Sequence, residues 1–225
     1  GMAMASALAL VAGAGTSVAQ TYTCPTLGTY YQSSTSGGGI IQEFSAGGSN
    51  LQFKPAWGVA FAFAPGKGLY ITAAYFTKNW NNPNNLVNDP WKRVLWDARL
   101  SEMFVPYHNG LYLYLDLSMG FDLVDALPED AGPCGRILSA KNDLGVLQSK
   151  VVNQLNNSEL AWKHTMSAPP YSLVRYREEM MLWGTVGAGN YNYVIKYGFR
   201  DDGTITLRVG ATGSNLPDLP LVAHM

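Results

Sequence analysis

"YVIKYGFRDDGTITLRVGATG", residues 193–213, reads as two β-strands joined by a tight turn. Apolar and polar side chains alternate on both sides of Asp202-Gly203, the period of strands with one buried face. Asp-Gly is the dipeptide of a two-residue type I′ turn, so an antiparallel hairpin is expected here. Just upstream, "GTVGAGNYNY" (184–193) poses a question. Gly187-Ala188-Gly189 looks like a kink or bulged edge that delivers an Asn-Tyr pair at the very start of a strand.

The same signals recur outward along the chain. "SLVRYREEMMLWGTVG" (172–187) is expected to be a strand, with Arg175, Arg177, Glu178 and Glu179 on a solvated face. "WGVAFAFA" (57–64) and "GLYITAAYFT" (68–77) predict a hairpin through Pro65-Gly66-Lys67-Gly68. "WKRVLWDARL" (91–100) and "GLYLYLDL" (110–117) read as further strands, and "NDLGVLQSKVVNQL" (142–155) as a short helix or an irregular strand. The Ser/Gly-rich residues 33–50 read as a loop or tether, and 79–90 as a long polar loop. The fold class is therefore mostly β, an antiparallel β-sandwich. Three parts are expected: an apolar arm or secretory signal (1–20), a Ser/Gly-rich segment (21–54) and the sandwich domain (55–225).

Composition narrows the function classes. The 225 residues are 47% hydrophobic and only 14% charged, which permits a substantial core. A formal net charge of -1 supplies no basic face for nucleic acid. Residues 1–20 carry no charge and end in Ser17-Val18-Ala19, like the apolar run and cleavage site of a secretory signal. A secreted or periplasmic location follows, with no membrane partner after signal removal. In that setting Cys24 and Cys134 allow one disulfide, with two unpaired thiols as the alternative.

Residue chemistry alone leaves the activity open. His108, His164 and His224 are the only histidines, and none has a neighbour at metal-ligand spacing. No nucleophile elbow and no phosphate-binding glycine loop is present. Carboxylates such as Asp116, Asp122 and Asp125 cannot be sorted into catalytic pairs by spacing.

An ordered set of short motifs decides further. "LSEMFVPY" (100–107), "YLD" (114–116), "WKHT" (162–165) and "NYNY…DGTI…ATG" (190–213) occur in the order found in copper-containing amine oxidases. The chain resembles part of that family's catalytic domain from about residue 55 to 213. The resemblance implies a tyrosine that copper and dioxygen convert to topaquinone. Tyr191 matches that precursor, with Asn190 as the motif asparagine. Asp116 matches the general base, Tyr107 the tyrosine that hydrogen-bonds the quinone, and Tyr114 the gate of the substrate channel. A small primary amine and dioxygen are the implied substrates. His224 matches the first member of the copper-binding His-x-His.

The match has departures. Two extra residues lie between Thr185 and Asn190, and Asn192 stands where the family has an acid. With the copper ligands incomplete, the expectation for this chain is a family member inactive on its own. A non-catalytic secreted β-sandwich, acting as a structural or self-assembling homo-oligomeric subunit, is the alternative.

Overall fold

The computed structural model describes residues 24–44, 54–78, 91–107, 112–119, 121–165, 167, 172–189 and 191–213. The 1–20 arm, the 79–90 loop, His108, Asn190 and His224 lie outside the described residues.

Two five-stranded antiparallel sheets make the sandwich. The first runs in order β1 (Thr29–Gln32), β2 (Gly38–Glu43), β3 (Ala56–Ala64), β4 (Gly68–Thr77) and β5 (Lys92–Leu95). A two-stranded ribbon follows, β6 (Phe104–Tyr107) and β7 (Tyr112–Leu115), then a single turn of helix, α1 (Pro128–Ala131). The second sheet is built from β8 (Gly135–Lys141), β9 (Leu147–Thr165), β10 (Ser172–Ala188), β11 (Tyr191–Arg200) and β12 (Ile205–Gly213), neighbours in sequence order.

Alternation explains the core. Trp57, Val59, Phe61 and Phe63 of β3 point inward, and Tyr193, Ile195, Tyr197 and Phe199 of β11 meet them from the second sheet. Aromatic residues suit this layer because each buries a large apolar area. Three polar tips are also placed. Trp57 Nε1–H donates to the Arg200 carbonyl at 2.7 Å, and the Tyr197 hydroxyl to the Leu69 carbonyl at 3.2 Å. The Tyr30 hydroxyl donates to the Ser139 carbonyl at 2.8 Å. Each bond ties one sheet to the other.

Several sequence expectations are corrected. Part of the 33–50 segment is no tether: β2 pairs along its whole length with β3, and Ile40 is buried. Its apolar pair Ile40-Ile41 is short, but a paired edge strand on one side and β3 on the other complete its hydrogen bonds. For 142–155, read as a short helix or an irregular strand, the strand alternative holds, and Leu147 opens the 19-residue strand β9. The β11–β12 hairpin exists, but its turn is three residues. The Gly203 amide donates to the Arg200 carbonyl at 3.0 Å and the Arg200 amide to the Thr204 carbonyl at 2.9 Å, with Gly203 at φ 91°. That is a type I turn with a glycine bulge.

The expected solvated Arg/Glu face has its carboxylates buried instead, under partly exposed arginines. Glu178 and Glu179 are buried. Glu179 occupies the slot left by Gly198, where a Cβ would come within 2.2 Å of its Oε1. There it accepts from Thr206 at 2.7 Å and from Arg208 at 2.8 Å, with Arg200 at 3.4 Å. Arg175 pairs with the buried Asp201 at 2.7 Å. Arginines from three strands cover the carboxylates that solvent was expected to cover.

The two cysteines are joined. Cys24–Cys134 forms a disulfide with a Cα–Cα distance of 5.2 Å, linking the segment before β1 to the start of β8.

Candidate active site

The hairpin register determines where Tyr191 points. β10 and β11 pair without a break from Glu179↔Arg200 to Ala188↔Tyr191. Gly187-Ala188-Gly189 is thus neither a bulge nor an edge kink. Ala188 is the last paired residue of β10, and Gly189, at φ 63°, opens a two-residue loop. The positive φ is the conformation that glycine adopts without a Cβ penalty. Tyr191 is thus the first paired residue of β11, next to the β10–β11 loop. β11 is an interior strand, flanked by β10 and β12.

Side chains two apart share a strand face. Tyr191, half-buried, therefore lies on the inward face with the buried Tyr193 and Tyr197, and it packs against the main core.

Asp116 approaches the same face from the other direction. It directly follows β7 and is 1% exposed. Its carboxylate Oδ2 accepts a hydrogen bond from the Tyr193 hydroxyl at 2.7 Å, between residues 77 apart in sequence. The backbone around it is clamped. The Asp116 amide donates to the Met103 carbonyl at 2.9 Å. Glu102, from the "LSEM" motif, accepts the amides of Met103 (2.8 Å), Leu117 (2.9 Å) and Ser118 (3.2 Å). Burial alone would raise the Glu102 carboxyl, but these bonds hold it below the usual carboxylate range.

Asp122, the other carboxylate nearby in sequence, is engaged otherwise. It forms an ion pair with Lys150 at 2.6 Å and accepts the Leu123 amide at 2.7 Å. Next to it, Leu123 bridges to Val186, and the Val124 amide donates to the Thr185 carbonyl at 2.8 Å, pinning this segment to β10 beside the Tyr191 hairpin.

Of the other expected site residues, Tyr107 closes β6 opposite Tyr112, and Tyr114 lies in β7 opposite Val105. Both stand on the ribbon that carries Asp116. The structure thus brings Asp116 to the Tyr191 strand. The contact that sequence reading missed is Tyr193, whose signal was its same-face spacing from Tyr191.

Comparison with known proteins finds similarity to copper amine oxidases. Residues 154–216, the stretch holding Tyr191, match the family model "Copper amine oxidase, enzyme domain". A peroxisomal copper-containing amine oxidase of Arabidopsis thaliana, alpha 2, is 26% identical over 176 residues, 70% of this chain and 25% of that protein. The chain is similar to part of a copper amine oxidase. Primary amine oxidase 2 of the same plant is 22% identical over 138 residues, covering 55% of this chain and 21% of that protein. The fold of a copper-containing benzylamine oxidase from Hansenula polymorpha superimposes with a TM-score of 0.53 at 20% identity, over 72% of this chain and 27% of that one. The amine oxidase-like chain spans about a quarter of the length of these proteins.

The family's two cofactors meet different reception among the described residues. For a quinone made from Tyr191, the position fits: a phenol on the core face of an interior strand, next to a buried carboxylate-phenol pair. For copper, no three His, Cys, Asp or Glu side chains gather among the described residues. His164, on β9, is exposed.

Proposed function

We propose that this chain carries the amine-oxidising half of a primary-amine oxidase site. Its reaction is oxidative deamination: a primary amine, dioxygen and water yield an aldehyde, ammonia and hydrogen peroxide. Tyr191 is the quinone-precursor position, and the quinone would supply the electron sink for this oxidation. Asp116 is the base that takes the proton from the carbon bearing the amine. Tyr107 and Tyr114 are the positions the resemblance matches to the quinone's hydrogen-bonding tyrosine and the channel gate, and Asn190 precedes the precursor as in the family motif. His224, the position matched to the copper-binding His-x-His, would be one of the copper donors.

The observation that supports this reading best is the meeting of Asp116 with the inward face of β11. Of two carboxylates near in sequence, the one matched to the family's base reaches the tyrosine strand, while Asp122 is neutralised by Lys150.

An oxidising, extracytoplasmic location accompanies the proposal, supported by the Cys24–Cys134 disulfide. A second copy of the chain is the proposed partner. Leu160, Trp162, Val174 and Tyr176 are all more than 40% exposed on the β9–β10 ribbon, an apolar surface suited to burial. The non-catalytic, self-assembling reading draws on the same surface.

The test is peroxide release with benzylamine by the purified chain after exposure to copper and oxygen. Activity lost in both Tyr191→Phe and Asp116→Asn is expected. Equal activity in Tyr191→Phe would refute the proposal.

A further inference from the structure

We propose that Tyr193 is the positioning residue for Asp116, fixing the carboxylate against the strand that bears Tyr191. The inference rests on the amine-oxidase reading above and assigns a role to a residue of the NYNY stretch that the resemblance left without one.

Two features separate this bond from ordinary core satisfaction. A buried phenol needs only one acceptor, and a backbone carbonyl suffices, as Leu69 does for Tyr197. Tyr193 instead engages an ionisable side chain, and both partners are nearly closed to solvent, at 4% and 1% exposure. Moreover, the loop does not depend on the phenol for its place. The Asp116 amide is held by Met103, and the next two amides by Glu102. What the phenol adds is the orientation of the carboxylate itself.

The geometry gives that orientation a use. Tyr191 and Tyr193 are successive residues on one face of β11, roughly 7 Å apart along the strand. Tying Oδ2 to Tyr193 fixes the carboxylate one side chain from the precursor. Placement within about an ångström matters in a proton-abstraction site, because misplacement there costs orders of magnitude in rate. A hydrogen bond between buried partners is also stronger than one exposed to water.

Two readouts on the full chain test this. In the first, water-soluble carbodiimide with a glycine ester labels accessible carboxylates, read by peptide mass spectrometry. Tyr193→Phe is expected to raise labelling of Asp116 about tenfold, and Tyr197→Phe, which loses an equally buried phenol, to leave it unchanged. In the second, the quinone absorbance is bleached anaerobically by benzylamine. Tyr193→Phe should form as much quinone as wild type but react about tenfold more slowly at saturating amine, with the half-saturating concentration unchanged. Unaltered labelling, or equal labelling in Tyr197→Phe, would overturn the proposal. So would increased labelling with an unaltered bleaching rate, since the bond would then serve packing only. Absence of quinone from the wild-type chain would instead sink the underlying amine-oxidase reading, an outcome the labelling result cannot mimic.

Discussion

Glu179 shows how far a single carboxylate depends on its neighbours. Its carboxyl is buried, which by itself would raise its pKa. The hydrogen bonds from Thr206 and Arg208 and the charges of Arg208 and Arg200 outweigh burial and hold it below the usual range. A depressed folded-state value contributes stability at pH above the unfolded value, and that contribution is lost as pH falls through the folded one. Glu102, Asp143 and Asp202 shift the same way, whereas burial pushes Asp201 up. Thermal melting should therefore fall steeply once pH drops below the ordinary carboxylate range. Glu179→Gln should cost about 3 kcal/mol near neutral pH, since breaking a buried pair leaves its arginines unmatched. The same variant should lose less than wild type on acidification. A variant melting with an undiminished acid slope would show that Glu179 is not part of the acid limb.

At the scale of elements, turns and strand faces were more legible than what lies across the sheets. Asp202-Gly203 marked the β11–β12 hairpin because turn chemistry is local, though the extra residue in the turn was not visible in the dipeptide. The inward set Tyr193, Ile195, Tyr197 and Phe199 followed from period-2 alternation alone. Glu179 misled because its burial depends on Gly198 and on Arg200 and Arg208 from β11 and β12. Strand β2 was hidden because Gly38-Gly39 resembles a linker until β1 and β3 flank it. The Asp116–Tyr193 contact joins residues that no local pattern relates.

One glycine gives the element scale a sharp test. Gly68 starts β4 at φ 64°, following Gly66 at φ 71° in the β3–β4 turn. A Cβ at Gly68 would lie 3.0 Å from Ile195 Cδ1 and 3.4 Å from Leu117 Cδ1. Gly68→Ala should cost about 2 kcal/mol, from left-handed strain and crowding of the second sheet. Gly145 has a comparable φ of 79° but open space around it, so Gly145→Ala should cost less. Equal denaturant midpoints for the two variants would contradict the close approach of the sheets at Gly68.

For the molecule as a whole, the sandwich is held by its aromatic core and by a covalent link across 110 residues. Closing so long a loop restricts the unfolded chain, and the loss of such a bond typically costs about 2–5 kcal/mol. Replacing both Cys24 and Cys134 by serine should lower the melting temperature by several degrees while leaving the β-sheet circular dichroism unchanged. An unaltered melting temperature would mean that the segment before β1 is held by its other contacts, Arg136 to the Gly28 carbonyl and Gln42 to the Gly28 amide among them.

The central claim concerns the tip of the β10–β11 hairpin, where the family likeness and the Asp116 contact converge. Its most direct test is tandem mass spectrometry of the tryptic peptide spanning residues 178–196, after exposure of the pure protein to copper and oxygen. The account predicts a gain of two oxygen atoms with loss of two hydrogens, located on Tyr191 and absent from Tyr193. An unmodified Tyr191 in copper-loaded protein, or the same change on Tyr193, would contradict it.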